Sequence, residues 1–208
     1  MSDHKPLIYV VDDDVSVCKA LGLLLQSYDF VVETFTRAED FLAFKHLKIQ
    51  SCLILDIRLP GINGLALQDA MNTRQLNIPI VFITGHGDVP KSVRAIKAGA
   101  IDFLLKPFTK QKLLSAISLA ISKSKVQNKK EAEIAKIKRS IKTLSPRELE
   151  VFRFVAQGML SKQIASKRGI TLQTIKVHRG RVMRKMQAKT VTELIHLAQK
   201  AGLTSPQD

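Results

Sequence analysis

Short apolar segments alternate with helical patterns over the first 122 residues, and this alternation limits the possible folds more than any other feature of the sequence. The apolar segments have the length of β-strands and are Leu7–Val11, Phe30–Phe35, Cys52–Leu55, Ile80–Thr84 and Ile101–Leu105. The helical patterns cover Val15–Ser27, Ala38–Lys45, Leu65–Thr73, Val89–Ala98 and Thr109–Ser122. Strands that alternate with helices in this way are typical of a doubly wound parallel sheet. We predict an α/β doubly wound fold with a five-stranded parallel sheet in the order 2-1-3-4-5.

Acidic residues follow two of the predicted strands. The first strand runs into Asp12-Asp13-Asp14, and the third runs into Asp56. In the predicted order the carboxyl ends of strands 1 and 3 meet at the switch point, where open α/β sheets bind ligands. Carboxylates that crowd together resist ionisation unless a cation lies between them. Oxygen ligands of this kind suit Mg²⁺, with Mn²⁺ as an alternative.

Two further polar residues follow strands at the same predicted edge: Thr84 closes the fourth strand, and Lys106 follows the fifth. Taken singly, Thr84 is consistent with a helix cap, Lys106 with a solvated charge and Asp12–Asp14 with a capping cluster. All of these groups at one edge instead favour phosphoryl transfer, in which Asp56 is the nucleophile and forms an acyl phosphate. Lys106 and Thr84 would then contact the phosphoryl oxygens.

Motifs in this part of the chain resemble those of the receiver domain of two-component response regulators, over about residues 5–124. They are Val11–Asp14, Leu55–Gly61, Thr84–Pro90 and Lys97–Phe108, and Thr84–Pro90 is similar to the FixJ branch in particular. The resemblance implies a flavodoxin-like receiver and a sensor histidine kinase as partner. It also implies that phosphorylated receivers form a homodimer through helix 4, strand 5 and helix 5.

The same resemblance implies roles for individual residues. Asp56 falls on the phosphoacceptor position, and Lys106 falls on the family's invariant lysine. The implied ligands of Mg²⁺ are Asp12, Asp13, Asp56 and the backbone carbonyl of Arg58, with Asp13 a direct ligand. Thr84 and Phe103 fall on the paired switch positions, where Phe103 replaces the Tyr of many receivers and so lacks a hydroxyl group.

Positive charge is concentrated in residues 125–208. Residues 1–124 contain 14 Lys and Arg against 12 Asp and Glu, whereas residues 125–208 contain 19 against 6, so +13 of the net +15 lies in the second part. A basic segment indicates a polyanionic partner, and DNA is favoured over a membrane surface because an amphipathic face rich in Trp or Phe is lacking. The start of the chain has no apolar secretion segment, so we expect a cytoplasmic protein.

Residues 125–142 are predicted to link two domains, residues 1–124 and residues 143–208. Ile134, Ile137 and Ile141 form a thin helical stripe in a segment without Gly or Pro. A helix that continues from the first domain is favoured, and a flexible, solvated basic linker is the alternative.

The second domain is predicted to be a small all-α domain that contains a helix-turn-helix. The segment Ser145–Glu148 matches a capping box with Pro at the first helical position. Ser161 is predicted to cap the next, short helix. A third helix begins at Thr171 or Leu172 and is strongly basic, as expected of the helix that reads DNA.

Residues near the start of this third helix are predicted to enter the major groove. Lys176, Val177 and Gly180 would contact base edges, and Gln173, Thr174, Arg179 and Arg184 would contact phosphates. About residues 143–203 resemble the LuxR-type DNA-binding domain through the motifs Leu144–Val151, Lys162–Ala165 and Thr174–Met186. Gly180 departs from relatives that carry Lys at this position, so we expect little direct readout from it.

These features predict a transcriptional regulator of the FixJ/NarL type whose affinity for double-stranded promoter DNA, at a two-fold site, is set by phosphorylation of Asp56. RNA polymerase is a further expected partner, and no membrane partner is expected. We expect no enzymatic activity beyond phosphorylation and dephosphorylation of the protein itself. One alternative is a phosphohydrolase, but Arg58 occupies the position where such enzymes need a second carboxylate. The other is a passive dimerisation element, which the full set of acidic, hydroxyl and lysine positions disfavours.

Overall fold

The computed structural model describes residues 5–45, 50–85 and 89–203. Positions 86–88 of the Thr84–Pro90 motif, and positions 204–208 of the predicted DNA-binding domain, lie outside the described residues.

The chain divides into two compact units, residues 1–129 and residues 130–208. Within the part of the chain that is described, no helix has both the length and the apolar character needed to span a bilayer. The first unit has two hydrophobic cores, one on each face of its sheet, and the second unit has one.

The first unit is built on a five-stranded parallel sheet, and its order, β2-β1-β3-β4-β5, confirms the prediction. The strands are β1 (Leu7–Val11), β2 (Val31–Phe35), β3 (Ser51–Asp56), β4 (Ile80–Thr84) and β5 (Asp102–Leu105). The helices are α1 (Val15–Gln26), α2 (Ala38–Ala43), α3 (Gly64–Thr73), α4 (Val89–Lys97) and α5 (Lys110–Lys142). Asp56 is the last residue of β3, so its position is fixed by the strand itself.

Alternate residues of the central strands lie on opposite faces of the sheet, and both faces are buried. In β1, Tyr9 packs in one core and Val10 in the other, and in β3 the same is true of Leu55 and Ile54. Successive side chains of a pleated strand point to opposite faces, so helices on both sides require strands that are apolar throughout. The pairing of Val11 with Leu55 sets the carboxyl ends of β1 and β3 side by side.

The second unit contains the end of α5 and all of α6 (Pro146–Ala156), α7 (Ser161–Arg168), α8 (Leu172–Lys185) and α9 (Val191–Lys200). Residues 125–142 lie within α5. The side chains at the centre of the core are Phe152, Ile164, Ile175, Val182 and Leu194. Ile137 of α5 is buried in the same core, which ties the end of this helix to the helices that follow.

The N-terminal caps of α6 and α7 are built differently. The predicted Ser145–Glu148 capping box forms at the start of α6. The prediction that Ser161 caps α7 is wrong, because Leu160 is the N-cap residue and Ser161 is the first residue of the helix. The Leu160 amide donates to the Gln163 side chain at 2.7 Å, so the glutamine satisfies the amide of the N-cap residue. The Ser161 hydroxyl instead accepts a hydrogen bond from the Arg179 guanidinium at 3.1 Å, which joins α7 to α8.

We expect Phe152→Ala to destabilise the second unit by about 3–5 kcal/mol, because loss of a fully buried ring leaves a cavity. Phe154→Ala, on the same helix, is the matched control, since Phe154 is only partly buried and should cost less. Hydrogen exchange of the full chain, followed by mass spectrometry, should show faster exchange across α6–α9 and unchanged exchange in the sheet. Equal effects of the two substitutions would contradict this assignment of Phe152 to the centre of the core.

Candidate functional site

Three acidic side chains lie together at the carboxyl edge of the sheet. One carboxylate oxygen from each of Asp12, Asp13 and Asp56 lies within 4.8 Å of the other two. Asp12 and Asp56 are buried, whereas Asp13 is exposed. They converge because β1 and β3 are neighbours in the sheet and end at the same level. The structure therefore brings together the acidic groups that the sequence places after these two strands.

An ammonium group lies between the two buried carboxylates. Lys106 Nζ is 2.6 Å from Asp12 Oδ2 and 2.8 Å from Asp56 Oδ2. Burial raises the pKa of Asp12, and the hydrogen bond from Lys106 acts against this rise without cancelling it. Burial by itself would lower the pKa of Lys106, but hydrogen bonds to Asp12 and Asp56 outweigh it, so that this pKa is raised. Lys106 is thus held in its charged form at the site.

Backbone amides orient the remaining oxygen of each buried carboxylate. Asp56 Oδ1 accepts a hydrogen bond from the Arg58 amide at 2.9 Å, and Asp12 Oδ1 accepts one from the Asp14 amide at 3.0 Å. Asp14 itself caps α1, because its side chain accepts from the Ser16 amide at 2.7 Å. The capping role considered for Asp12–Asp14 thus belongs to Asp14, whereas Asp12 and Asp13 are part of the acidic cluster.

The loop after β3 passes so close to Asp56 that a side chain at position 64 would collide with it. A Cβ atom on Gly64 would lie 2.3 Å from the Asp56 carbonyl oxygen. The Gly64 amide donates to the Ile57 carbonyl at 3.0 Å, and the Asn63 side chain caps α3. Sequence reasoning missed this contact, since the close approach of two backbone segments leaves no signal other than the glycine itself.

The remaining predicted groups come from β4 and the end of β5. Thr84, the last residue of β4, is 1% exposed, and its carbonyl accepts a hydrogen bond from the Lys106 amide at 2.7 Å. Phe103 lies on β5 opposite Phe82, with 6.5 Å between the ring centroids, and is partly buried against the core. Thr84 and Lys106 therefore lie at the same edge as the acidic cluster, and Phe103 lies on the adjoining strand.

The acidic cluster suits a hard divalent cation. Asp12, Asp13 and Asp56 supply carboxylate oxygens close enough together for one ion to contact all three. Mg²⁺ prefers oxygen ligands and is commonly bound by one or two carboxylates with waters, and Mn²⁺ accepts the same ligands. The donor chemistry of this site therefore fits Mg²⁺.

A second candidate site lies on α8. All seven residues predicted to contact DNA belong to this helix: Gln173, Thr174, Lys176, Val177, Arg179, Gly180 and Arg184. Ile175 and Val182 are buried on the inner side of the helix, and Lys176 and Arg184 are exposed. A Cβ atom on Gly180 would meet nothing within 4 Å among the described residues, so this part of the helix surface is open. The helix therefore presents a basic surface that is interrupted at Gly180, which has no side chain.

Two parts of the chain match known families. Residues 8–118 match the response regulator receiver domain, and residues 142–198 match the bacterial regulatory proteins of the luxR family. The first range covers most of the sheet unit, and the second covers α6, α7, α8 and most of α9.

Similar proteins match along nearly the whole chain. Nodulation protein W of Bradyrhizobium diazoefficiens is 40% identical over 201 residues, which is 97% of this chain and 88% of that protein. Transcriptional regulatory protein FixJ of the same species is 42% identical over 197 residues, which is 94% of this chain and 96% of that protein. The solved structure of the response regulator StyR has a TM-score of 0.79 and 42% identity, and covers 95% of this chain and 100% of that chain.

The family fits both sites. Receiver domains generally bind Mg²⁺ through acidic residues and have a histidine kinase as partner, and the domain of the luxR family binds DNA. The chain belongs to the two-component response regulators that join a receiver domain to a LuxR-type DNA-binding domain, and its function is the regulation of transcription.

Proposed function

We propose that Asp56 accepts a phosphoryl group from a phosphohistidine of the sensor kinase, and that this modification controls DNA binding. The observation that carries the proposal is the contact of one ammonium, Lys106 Nζ, with both Asp12 and Asp56 at the switch point of the sheet. In the transfer, the bond between phosphorus and the imidazole nitrogen breaks and a bond between phosphorus and a carboxylate oxygen of Asp56 forms. The imidazole nitrogen keeps the electron pair of the broken bond.

The residues around Asp56 have separate parts in this transfer. Asp12, Asp13, Asp56 and the Arg58 carbonyl would hold Mg²⁺, which supplies positive charge to the phosphoryl oxygens. The Arg58 amide keeps one oxygen of Asp56 in a fixed direction. Lys106 is already within hydrogen-bond distance of Asp56 and supplies an ammonium for a phosphoryl oxygen. The Thr84 hydroxyl donates a hydrogen bond to another phosphoryl oxygen. Phosphorylation and dephosphorylation of Asp56 are the only catalysis that we assign to the protein.

We expect Asp56→Asn to abolish phosphorylation by acetyl phosphate in the presence of Mg²⁺, because an amide cannot form the acyl phosphate. Intact-mass spectrometry of the full chain would measure the attached group. Asp69→Asn is the matched control, since Asp69 is exposed on α3 and forms an ion pair with Arg94 at 2.7 Å, away from the acidic cluster. An Asp56→Asn chain that still gains one phosphoryl group would overturn the assignment.

The phosphorylated receiver is proposed to dimerise through α4, β5 and α5. Exposed apolar side chains on the first two of these elements support this surface: Val93 is 46% exposed, Ile96 is 45% exposed, and Val89 and Leu105 are exposed as well. An acyl phosphate adds about two negative charges, which draw the Thr84 hydroxyl and Lys106 towards it. Phe103 then moves inward into the space that Thr84 leaves, and this changes the α4–β5 surface.

Ile96→Glu should prevent this dimerisation, because it places a charge in the apolar centre of the proposed interface. Light scattering after treatment with acetyl phosphate and Mg²⁺ should give a dimer mass for the unmodified sequence and a monomer mass for Ile96→Glu. Leu23→Glu on α1 is the control, since Leu23 is 67% exposed and lies outside the proposed interface. A phosphorylated Ile96→Glu chain of dimer mass would contradict the proposed surface.

Dimerisation is proposed to align two DNA-binding domains on a two-fold promoter site. In each, α8 lies in the major groove, with Lys176, Val177 and Gly180 towards the base edges. Gln173, Thr174, Arg179 and Arg184 contact the phosphates on either side. RNA polymerase is the further partner through which the bound regulator acts on transcription.

A further inference from the structure

The last residue of α8 turns its side chain towards the protein. Lys185 Nζ donates to Glu148 Oε2 at 2.6 Å and to the Thr143 carbonyl oxygen at 2.9 Å. Thr143 follows α5 directly, and Glu148 lies in the first turn of α6. One ammonium thus joins the end of α5, the start of α6 and the end of α8, all within the second unit.

The burial of Glu148 makes the loss of its contact with Lys185 energetically unfavourable. Its side chain is only 5% exposed, and the same Oε2 atom also accepts from the Ser145 amide at 2.8 Å. The hydrogen bond from Lys185, followed by that from the Ser145 backbone, holds the pKa of Glu148 below its usual range, so the carboxylate is charged at neutral pH. If Lys185 left to contact a phosphate, it would leave a buried carboxylate without its cation, which is strongly unfavourable.

Polar contacts add to the apolar packing that holds α8 in place. Ile175 and Val182 set which face of the helix meets the core, and hydrogen bonds, which are directional, further restrict its angle and axial position. Directed polar contacts lie at the middle and at the C-terminal end of the helix: Arg179 with Ser161 of α7, and Lys185 with Glu148 of α6. The second of these contacts carries full charges on both partners and involves the more buried acceptor.

We propose that Lys185 is a positioning residue, held by Glu148, that sets the orientation of α8 for sequence readout and does not itself contact a DNA phosphate. This inference rests on the proposed function in taking α8 as the helix that reads DNA. The neighbouring Arg184 serves as the contrast because it is assigned to phosphate contact, and both side chains are exposed, that of Lys185 to 38%. Two adjacent cations of α8 thus have different tasks.

The salt dependence of DNA binding distinguishes a residue that contacts a phosphate from one that positions α8. Each phosphate contact contributes about 0.9 to the slope of log affinity against log salt concentration, whereas a positioning residue contributes nothing to it. The probes are a duplex selected from a random library by the full, unsubstituted chain, and a scrambled duplex of equal length. Affinity is measured for both at several salt concentrations.

Lys185→Met should lower the ratio of selected to scrambled affinity roughly tenfold, a change of about 1.4 kcal/mol, with the slope on scrambled DNA unchanged. Arg184→Met should lower the slope by about 0.9 on both duplexes and leave the ratio nearly intact. Glu148→Gln keeps the capping box, because Gln also serves at this position, but removes the charge that holds Lys185. Glu148→Gln should therefore lower the ratio of selected to scrambled affinity by about as much as Lys185→Met does. The variant that carries both substitutions should show no larger loss than either single variant.

Ser145→Ala controls for stability, since it removes the cap hydroxyl of α6 and leaves the Lys185–Glu148 pair. The ratio of selected to scrambled affinity should be the same for Ser145→Ala as for the unsubstituted chain. Circular dichroism of every variant would confirm that the helices are formed. A Lys185→Met chain that loses about 0.9 of slope, as Arg184→Met does, would overturn the inference alone. An unsubstituted chain whose binding does not depend on salt would overturn the DNA-binding role of α8, and with it the task of Lys185.

Discussion

Carboxylates that meet at one edge of a sheet repel one another, and the arrangement of the receiver unit relieves this repulsion with a single ammonium. Lys106 lies between Asp12 and Asp56, and its own backbone amide is fixed by the carbonyl of Thr84. The strand order matters here because it sets β1 beside β3, and β4 between β3 and β5. The chemistry of the site thus depends on a balance of charges that this strand order brings together.

The second unit uses the same kind of interaction for a different purpose. Glu148 is a buried carboxylate with a lysine partner, as Asp12 is, but its neighbours are the ends of helices, and no cluster of acidic groups surrounds it among the described residues. In the receiver, the ammonium has two carboxylate partners, and under the proposed function it also contacts a third anion, the phosphoryl group. In the DNA-binding unit, the ammonium has one carboxylate and one carbonyl partner, and we infer that both serve to hold a helix in place.

Much of this arrangement could be predicted from the sequence, and the exceptions have physical causes. The strands and the acidic residues that end them follow from a local pattern, because apolar runs that end in charged residues are visible along the chain. The strand order, and with it the convergence of Asp12 with Asp56, was predicted from the common topology of five-stranded doubly wound sheets. The contact of Lys185 with Glu148 joins residues 37 positions apart on helices whose relative placement the pattern does not give. The prediction of the α7 cap was wrong for a related reason: Ser161 has a tertiary partner, Arg179, and the Gln163 side chain accepts from the amide of the N-cap residue, Leu160.

Alternate residues of β3 belong to two separate cores, and this restricts how the chain can change through evolution. Inserting or deleting one residue between Ser51 and Asp56 would exchange the two faces of the strand on one side of the change and send the apolar side chains there to the wrong helix layer. The same event would shift the terminal carboxylate along the strand and away from its lysine. Under the proposed function, an exchange of one apolar residue of β3 for another leaves Asp56 in place, whereas a change in the length of the strand would separate Asp56 from Lys106.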